Sequence, residues 1–299
     1  MTSDAGAGIL RLLHWEVVVT SLQRTLAFYE GLTPFRHTAV VATPREMSSI
    51  LVLPSSAGTT PRLRLVQPLD PPPHGAPHDS LGASGFVRIV MHVSDLDHAR
   101  LNAERRGVRP VAATTGDDFE FELRSTGRRS YRVWACLDPD GIVVEFLEGP
   151  RPALSTVASG TADLVAARRF LTGVLGLVLT DTVRTPNPVP NVYLPHGTPV
   201  DFVGEFFRVA ADPRGYLDVL EHADHGLRRA PYASDTNVGI ARCAVEVEDL
   251  ARAMGVLQRA GLEIGDAEQI DFGADLRVRR TLSFRDPEGV GYRFVEAAG

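Results

Sequence analysis

The run Asp138-Pro139-Asp140-Gly141-Ile142-Val143-Val144-Glu145-Phe146-Leu147-Glu148 joins a tight polar turn to an apolar strand. Asp, Pro and Gly each favour a turn for a separate reason: side-chain capping of backbone N–H groups, a fixed φ, and tolerance of positive φ. A second turn of the same kind, Asp286-Pro287-Glu288-Gly289, begins 148 residues later and also precedes a strand, Gly291 to Val295. That offset divides the 299 residues into two copies of one unit, residues 1–150 and 151–299, with Gly149-Pro150-Arg151-Pro152 as the linker.

A shorter pattern occurs four times. An apolar strand runs into a polar turn and then an amphipathic helix ending near Gly. The strands open at His14, Arg88, Thr156 and Arg242. Ser21, Asp95, Asp163 and Asp249 follow them and are placed to cap the free N–H groups of the helices. Gly31, Gly107, Gly176 and Gly261 are read as the helix stops. Period-two segments come after the helices: Ser49 to Leu53, Arg62 to Val66, Tyr131 to Leu137, Val143 to Leu147, Pro199 to Phe207, Tyr216 to Leu220 and Arg277 to Phe284. Pro68 to His78 and Thr185 to Pro199 are read as Pro-rich loops, either rims of a pocket or plain insertions.

Composition narrows the function classes. With 44% hydrophobic and 23% charged residues, the chain can build ordinary globular cores. A net charge of -6 without like-charge blocks gives no reason to expect nucleic acid or an anionic membrane as partner. No apolar run reaches the ~18 residues of a membrane span, and Met1 to Gly8 lacks a signal-peptide pattern. Two cysteines, Cys136 and Cys243, are too few for a disulfide framework, so a reducing cytoplasm is expected. High Ala, Arg, Val and Gly content suggests a GC-rich bacterial source. His196, His222 and His225 are read as solvated.

Four strand–helix–three-strand modules, with His14 opening the first strand, Leu26-Ala27-Phe28-Tyr29 in the first helix and the Asp138 to Glu148 run closing the second module, resemble the vicinal oxygen chelate (glyoxalase/bleomycin resistance/extradiol dioxygenase) superfamily. The resemblance implies an α+β fold in which four βαβββ modules form two cup-shaped mixed sheets. It also implies metal ligands projecting inward from the first and last strand of each module. The matching positions hold His14, Arg64, Arg88 and Glu145 in the first half, and Thr156, Asp218, Arg242 and Arg293 in the second. Two arginines beside Asp218 suit an ion cluster or an anion site better than a cation, so the second half is expected to be metal-free.

Several readings of the first half stay open. In one, His14 and Glu145, with Glu16 or His92, hold a divalent metal such as Zn, Ni, Mn or Fe, while Arg64, Arg88 and His92 bind substrate. Glu145 or Glu16 then serves as general base in isomerase or lyase chemistry on a small molecule with vicinal oxygens. In another, no metal binds and His14 or Glu145 moves protons directly. In a third, the cup is an ion-paired core or a passive cavity that sequesters a drug or metabolite. Extradiol dioxygenase chemistry is a further alternative. A monomer or homodimer is expected. The modules can also pair one with four, in which case His14 faces Arg242 and Arg293, and Glu145 faces Asp218.

Overall fold

The computed structural model describes residues 6–52, 61–78, 83–111, 118–150, 152–185, 189–190, 199–200, 202–222, 230–273 and 277–297. Module one comprises β1 (Ile9–Val18), α1 (Leu22–Leu32), β2 (Arg36–His37), β3 (Val41–Ala42), β4 (Glu46–Val52) and β5 (Arg62–Pro68). Module two comprises β6 (Gly85–Val93), α2 (Leu96–Arg105), β7 (Asp118–Leu123), β8 (Gly127–Leu137) and β9 (Val143–Glu148). Module three comprises β10 (Ala153–Thr161), α3 (Leu164–Arg169) with a π-helical turn over Phe170–Val174, β11 (Val178–Arg184), β12 (Val189–Pro190), β13 (Pro199–Val200), β14 (Phe202–Val209) and β15 (Asp212–His222). Module four comprises β16 (Gly239–Val247), α4 (Leu250–Arg259), β17 (Ile264–Asp271), β18 (Val278–Arg285) and β19 (Gly291–Glu296).

Local signals act as expected at the helix starts. The side chains of Ser21, Asp95, Asp163 and Asp249 accept from the N–H groups of Arg24, His98, Ala166 and Arg252. The two related turns match in detail. Asp138 Oδ1 accepts from the N–H groups of Asp140 and Ile142, both at 2.9 Å. Asp286 Oδ1 accepts from those of Glu288 and Val290 at 2.9 and 2.8 Å. Gly31 does not stop its helix. α1 runs on to Leu32, and Gly31 instead lets Arg106 of the neighbouring module pack against the helix, with Asn102 Nδ2 donating to its carbonyl at 2.9 Å.

The sheets overturn the expected pairing of modules. One sheet runs β17-β18-β19-β16-β1-β5-β4-β2, with β3 beside β4, and so joins module four to module one. The other is a closed barrel, β10-β15-β14-β11-β7-β8-β9-β6, that joins module three to module two. The cups are therefore not residues 1–150 and 151–299, and the segment around Gly149 lies between two strands of one barrel. The joints are antiparallel, β1 against β16 and β6 against β10.

Consecutive modules still meet, through turns. Asp140 accepts from the backbone N–H of Thr20 at 3.2 Å and pairs with Arg24 at 2.9 Å. Glu288 accepts from the Thr161 hydroxyl at 2.7 Å and from the N–H of Asp163 at 3.1 Å. The helix-side faces of both sheets bury one shared core that contains Trp15, Trp134, Phe146, Tyr292 and Phe294. Its apolar area is removed from water by all four modules together, which ties the sheets into one body. Among the described residues no helix is long and apolar enough to cross a membrane.

Candidate functional site

Each sheet carries a buried charged centre on the face away from its helices, and the balance of buried charge differs between the two. In the open sheet of modules one and four, register brings Glu16 of β1 between Arg64 of β5 and Arg242 of β16. Arg293 of β19 reaches the same carboxylate, with its Nη1 2.5 Å from Glu16 Oε1. Arg242 Nε lies 3.0 Å from Oε2 and Arg64 Nη1 3.4 Å from Oε1. All four residues are buried. Burial pushes the Glu16 carboxyl up, but Arg293, Arg242 and Arg64 more than reverse this and hold it well below the carboxylate range. His14 Nε2 sits 3.5 Å from Glu16 Oε1, and its ring is 5.3 Å from that of Phe272. Burial lowers the His14 pKa further than Glu16 raises it, so the imidazole is neutral near pH 7.

In the barrel the balance reverses, with two acids around one arginine. Arg88 of β6, Ala158 of β10, Asp218 of β15 and Phe206 of β14 form one cross-strand row. Glu145 of β9 stands beside Val90 and Ala135 in the neighbouring row. The small Ala158 lets the guanidinium pass over it to Asp218. Arg88 Nη2 is 3.8 Å from Asp218 Oδ2, and Arg88 Nε is 3.5 Å from Glu145 Oε2. These separations are longer than the ~2.8 Å of a tight charge-assisted hydrogen bond. Burial raises the Glu145 carboxyl, and Arg88 only partly opposes it. Asp218 is pushed up to about 6 by burial, with Arg88 opposing and Glu145 adding to the rise. Aromatic pairs continue the inner wall: Phe121 stacks on Tyr131 at 4.9 Å, and Phe206 lies 5.0 Å from Tyr216. Where β7 meets β11 only two residue pairs join, and a cleft of about 380 Å³ runs along that seam.

The expected site is thereby divided. His14, Glu16 and Arg64 belong to the open sheet, whereas Arg88, His92 and Glu145 belong to the barrel. His14 and Glu145 do not share a cup, so they form no common metal site. Glu16 is held by three guanidiniums and is unavailable as a base. His92 is half-buried near Gly149, four residues along β6 from Arg88 and roughly 13 Å away along the strand. Asp218 faces Arg88 instead of Arg242 and Arg293. His222 is buried, not solvated: it ends β15 opposite Phe202, and burial and Arg88 lower its pKa to about 4. His196 and His225 lie outside the described residues.

Neither donor set fits a divalent cation. In the open sheet Glu16, the acid beside His14 among the described residues, is surrounded by permanent positive charge. In the barrel, Glu145 and Asp218 have Arg88 between them, and His222 is four residues beyond Asp218. Among the described residues no group of three His, Cys, Asp or Glu side chains converges.

Residues 13–121 match the family model described as the Glyoxalase/Bleomycin resistance protein/Dioxygenase superfamily. The chain also resembles crystallised glyoxalase I from Zea mays, at 18% identity and a TM-score of 0.67, over 96% of this chain and 92% of that one. The fold is that of the vicinal oxygen chelate superfamily. A putative dioxygenase from Bacillus subtilis shares this fold at 12% identity and a TM-score of 0.58, over 98% of this chain and 86% of that one. No curated protein sequence matches the chain. The vicinal oxygen chelate fold accounts for the inward placement of both charged centres, because each lies on the first and last strands of its modules.

Proposed function

We propose that the barrel of modules two and three is an active cup, and that it performs metal-independent proton transfer of the isomerase or lyase kind. The substrate is a small molecule with adjacent oxygens. One observation carries this reading: Glu145 and Asp218, from different modules, flank the same guanidinium, and burial pushes both carboxyls above their ordinary pKa. A general base or acid works best when its pKa lies near the working pH. Arg88 would hold the negative charge that develops on a substrate oxygen. Glu145, as carboxylate, would take the proton from carbon. Asp218, present in both forms near its pKa of about 6, would return a proton to the neighbouring oxygen.

A second reading has its own support. The half-buried aromatic pairs Phe121–Tyr131 and Phe206–Tyr216 offer a binding wall that needs no chemistry, which suits sequestration of a planar molecule. Dioxygenase chemistry gains nothing from the donor sets on either sheet. Two buried, unpaired thiols, Cys136 and Cys243, suit a cytoplasmic setting.

Exchange of solvent deuterium into a panel of small hydroxyaldehydes, hydroxyketones and keto acids, followed by NMR on chelator-treated protein, tests the proposal. Exchange is expected to survive the chelator and to fall by about 10²–10⁴ in Glu145→Gln. Exchange that needs added divalent metal, or that is unchanged in Glu145→Gln, overturns it. Saturable binding with no exchange supports sequestration.

A further inference from the structure

We propose a second ligand site, in the open sheet of modules one and four, that takes a small oxyanion: a carboxylate or a phosphate group. Three buried guanidiniums, Arg64, Arg242 and Arg293, face one buried carboxylate, Glu16. Two positive charges are left over. Among the described residues they are balanced by acids nearer the surface: Glu46 on Arg64, Asp235 on Arg242 at 3.1 Å and also on Arg285 at 3.0 Å, and Glu268 on Arg293 at 3.3 Å. The side chains of those three acids are 31%, 56% and 52% exposed, whereas the guanidinium side chains are 2%, 8% and 7% exposed.

This asymmetry decides which partner can be exchanged. An exposed acid that swings away recovers its water and loses little, since ion pairs open to solvent are weak. A buried guanidinium regains far less hydration and needs another anion in place. The outer acids are thus replaceable counterions. Arg242 Nη1 and Arg293 Nε both donate to Ser283 Oγ, at 3.0 and 3.1 Å, so the two guanidiniums stand side by side like a clamp. Burial, and after it Arg242 and Arg64, lower the Arg293 pKa even with Glu16 attached, whereas at Arg242 burial is outweighed by Glu16 and Asp235, which raise its pKa.

There is room for the ligand. A pocket of about 140 Å³ opens onto the buried Glu16, Arg242 and Arg293, and the exposed Arg45, Asp70 and Asp235 line it too. With about 30 Å³ per water in the liquid, that is space for four or five water-sized groups, enough for phosphate or a short diacid. Asp70 and Glu46 also line the pocket and oppose an anion. They favour a compact ligand that reaches the guanidiniums at the floor and keeps its charge away from the mouth. The site is separate from the barrel and does not depend on the activity proposed there.

Thermal shift and calorimetric titration with inorganic phosphate and with malonate, against chloride at equal ionic strength, test the site on the full chain. Saturable stabilisation by either anion over chloride is expected; phosphate preference identifies a phosphate ligand, and malonate preference a carboxylate one. Arg242→Gln should weaken binding at least tenfold. Asp235→Asn, which removes a competing counterion from an exposed position, should strengthen it about threefold or more. A purely structural ion network predicts the reverse, because the outer acid would then be a needed partner. No saturable effect over chloride, or weaker binding in folded Asp235→Asn, overturns the proposal.

Discussion

Glu16→Gln is expected to destabilise the protein by about 3–5 kcal/mol, the usual cost of removing one partner from a buried ion cluster. The change keeps size and shape but strips from Arg64, Arg242 and Arg293 the buried anion they share among the described residues. The glutamine can accept hydrogen bonds and cannot offset charge. The pH dependence has a definite sign. Glu16 has a lowered carboxyl pKa in the folded state, so its contribution is fully present above the ordinary value of 4.5. It is lost only as pH falls through the native value, well below that. Urea melts should therefore show a constant gap between wild type and variant from pH 8 to pH 5. Removing one cation as well, in Glu16→Gln/Arg293→Gln, should recover part of the loss, because the repulsion that remains is smaller. A gap below about 0.5 kcal/mol, the ordinary scale of surface substitutions, would mean that the cluster is not buried as described.

Asp218→Asn is expected to act in the opposite direction. At pH 8 the variant should be more stable than wild type by about 1–3 kcal/mol, since each pKa unit of rise corresponds to about 1.4 kcal/mol. Asp218 has a carboxyl pKa raised from 3.8 to about 6, because burial and Glu145 outweigh Arg88. A raised acid contributes stability that is fully present below 3.8 and lost as pH climbs through about 6. The gap between variant and wild type should accordingly close as pH falls from 7 toward 4. The same variant should lose the proton transfer proposed for the barrel. Gain of stability with loss of activity is the pattern of a group held under strain for function. An Asp218→Asn variant less stable than wild type at pH 8 would mark that carboxylate as a satisfied partner of Arg88.

Much of this architecture was legible because it is locally determined. The caps at Ser21, Asp95, Asp163 and Asp249, and the paired turns at Asp138 and Asp286, depend on a few adjacent residues and were read correctly. The second strands of three modules were not. β17 has a polar, almost wholly exposed sequence, Ile264–Asp271, with no apolar face for periodicity to reveal. β7, Asp118–Leu123, and β11, Val178–Arg184, are short and meet over two residue pairs. The pairing of modules was hidden for a different reason. Every module has the same pattern, so the repeat is equally consistent with either way of joining strand edges, and β1 against β16 is a contact across more than 200 residues.

A signal for the pairing did exist in charge. Among the described residues Arg64, Arg242 and Arg293 share one buried acid, Glu16, with their other acids near the surface, and Arg88 has two buried acids, Glu145 and Asp218. Joining module one to four and two to three places opposite charges together at both centres. Joining one to two leaves Arg242 and Arg293 with Asp218 and takes Glu145 away from it. Placing His14 with Glu145 as metal ligands gave weight to residue type at matching positions over this balance of buried charge.

The coupling between Glu145 and Asp218 tests the account most directly, since the two carboxylates meet only if modules two and three share a barrel. A ¹³C NMR titration of the Asp218 carboxyl in wild type and in Glu145→Gln measures it. The expected result is a wild-type pKa of about 6 that falls when Glu145 loses its charge. An Asp218 pKa that does not move with that substitution would contradict both the barrel and the proton-transfer site built on it.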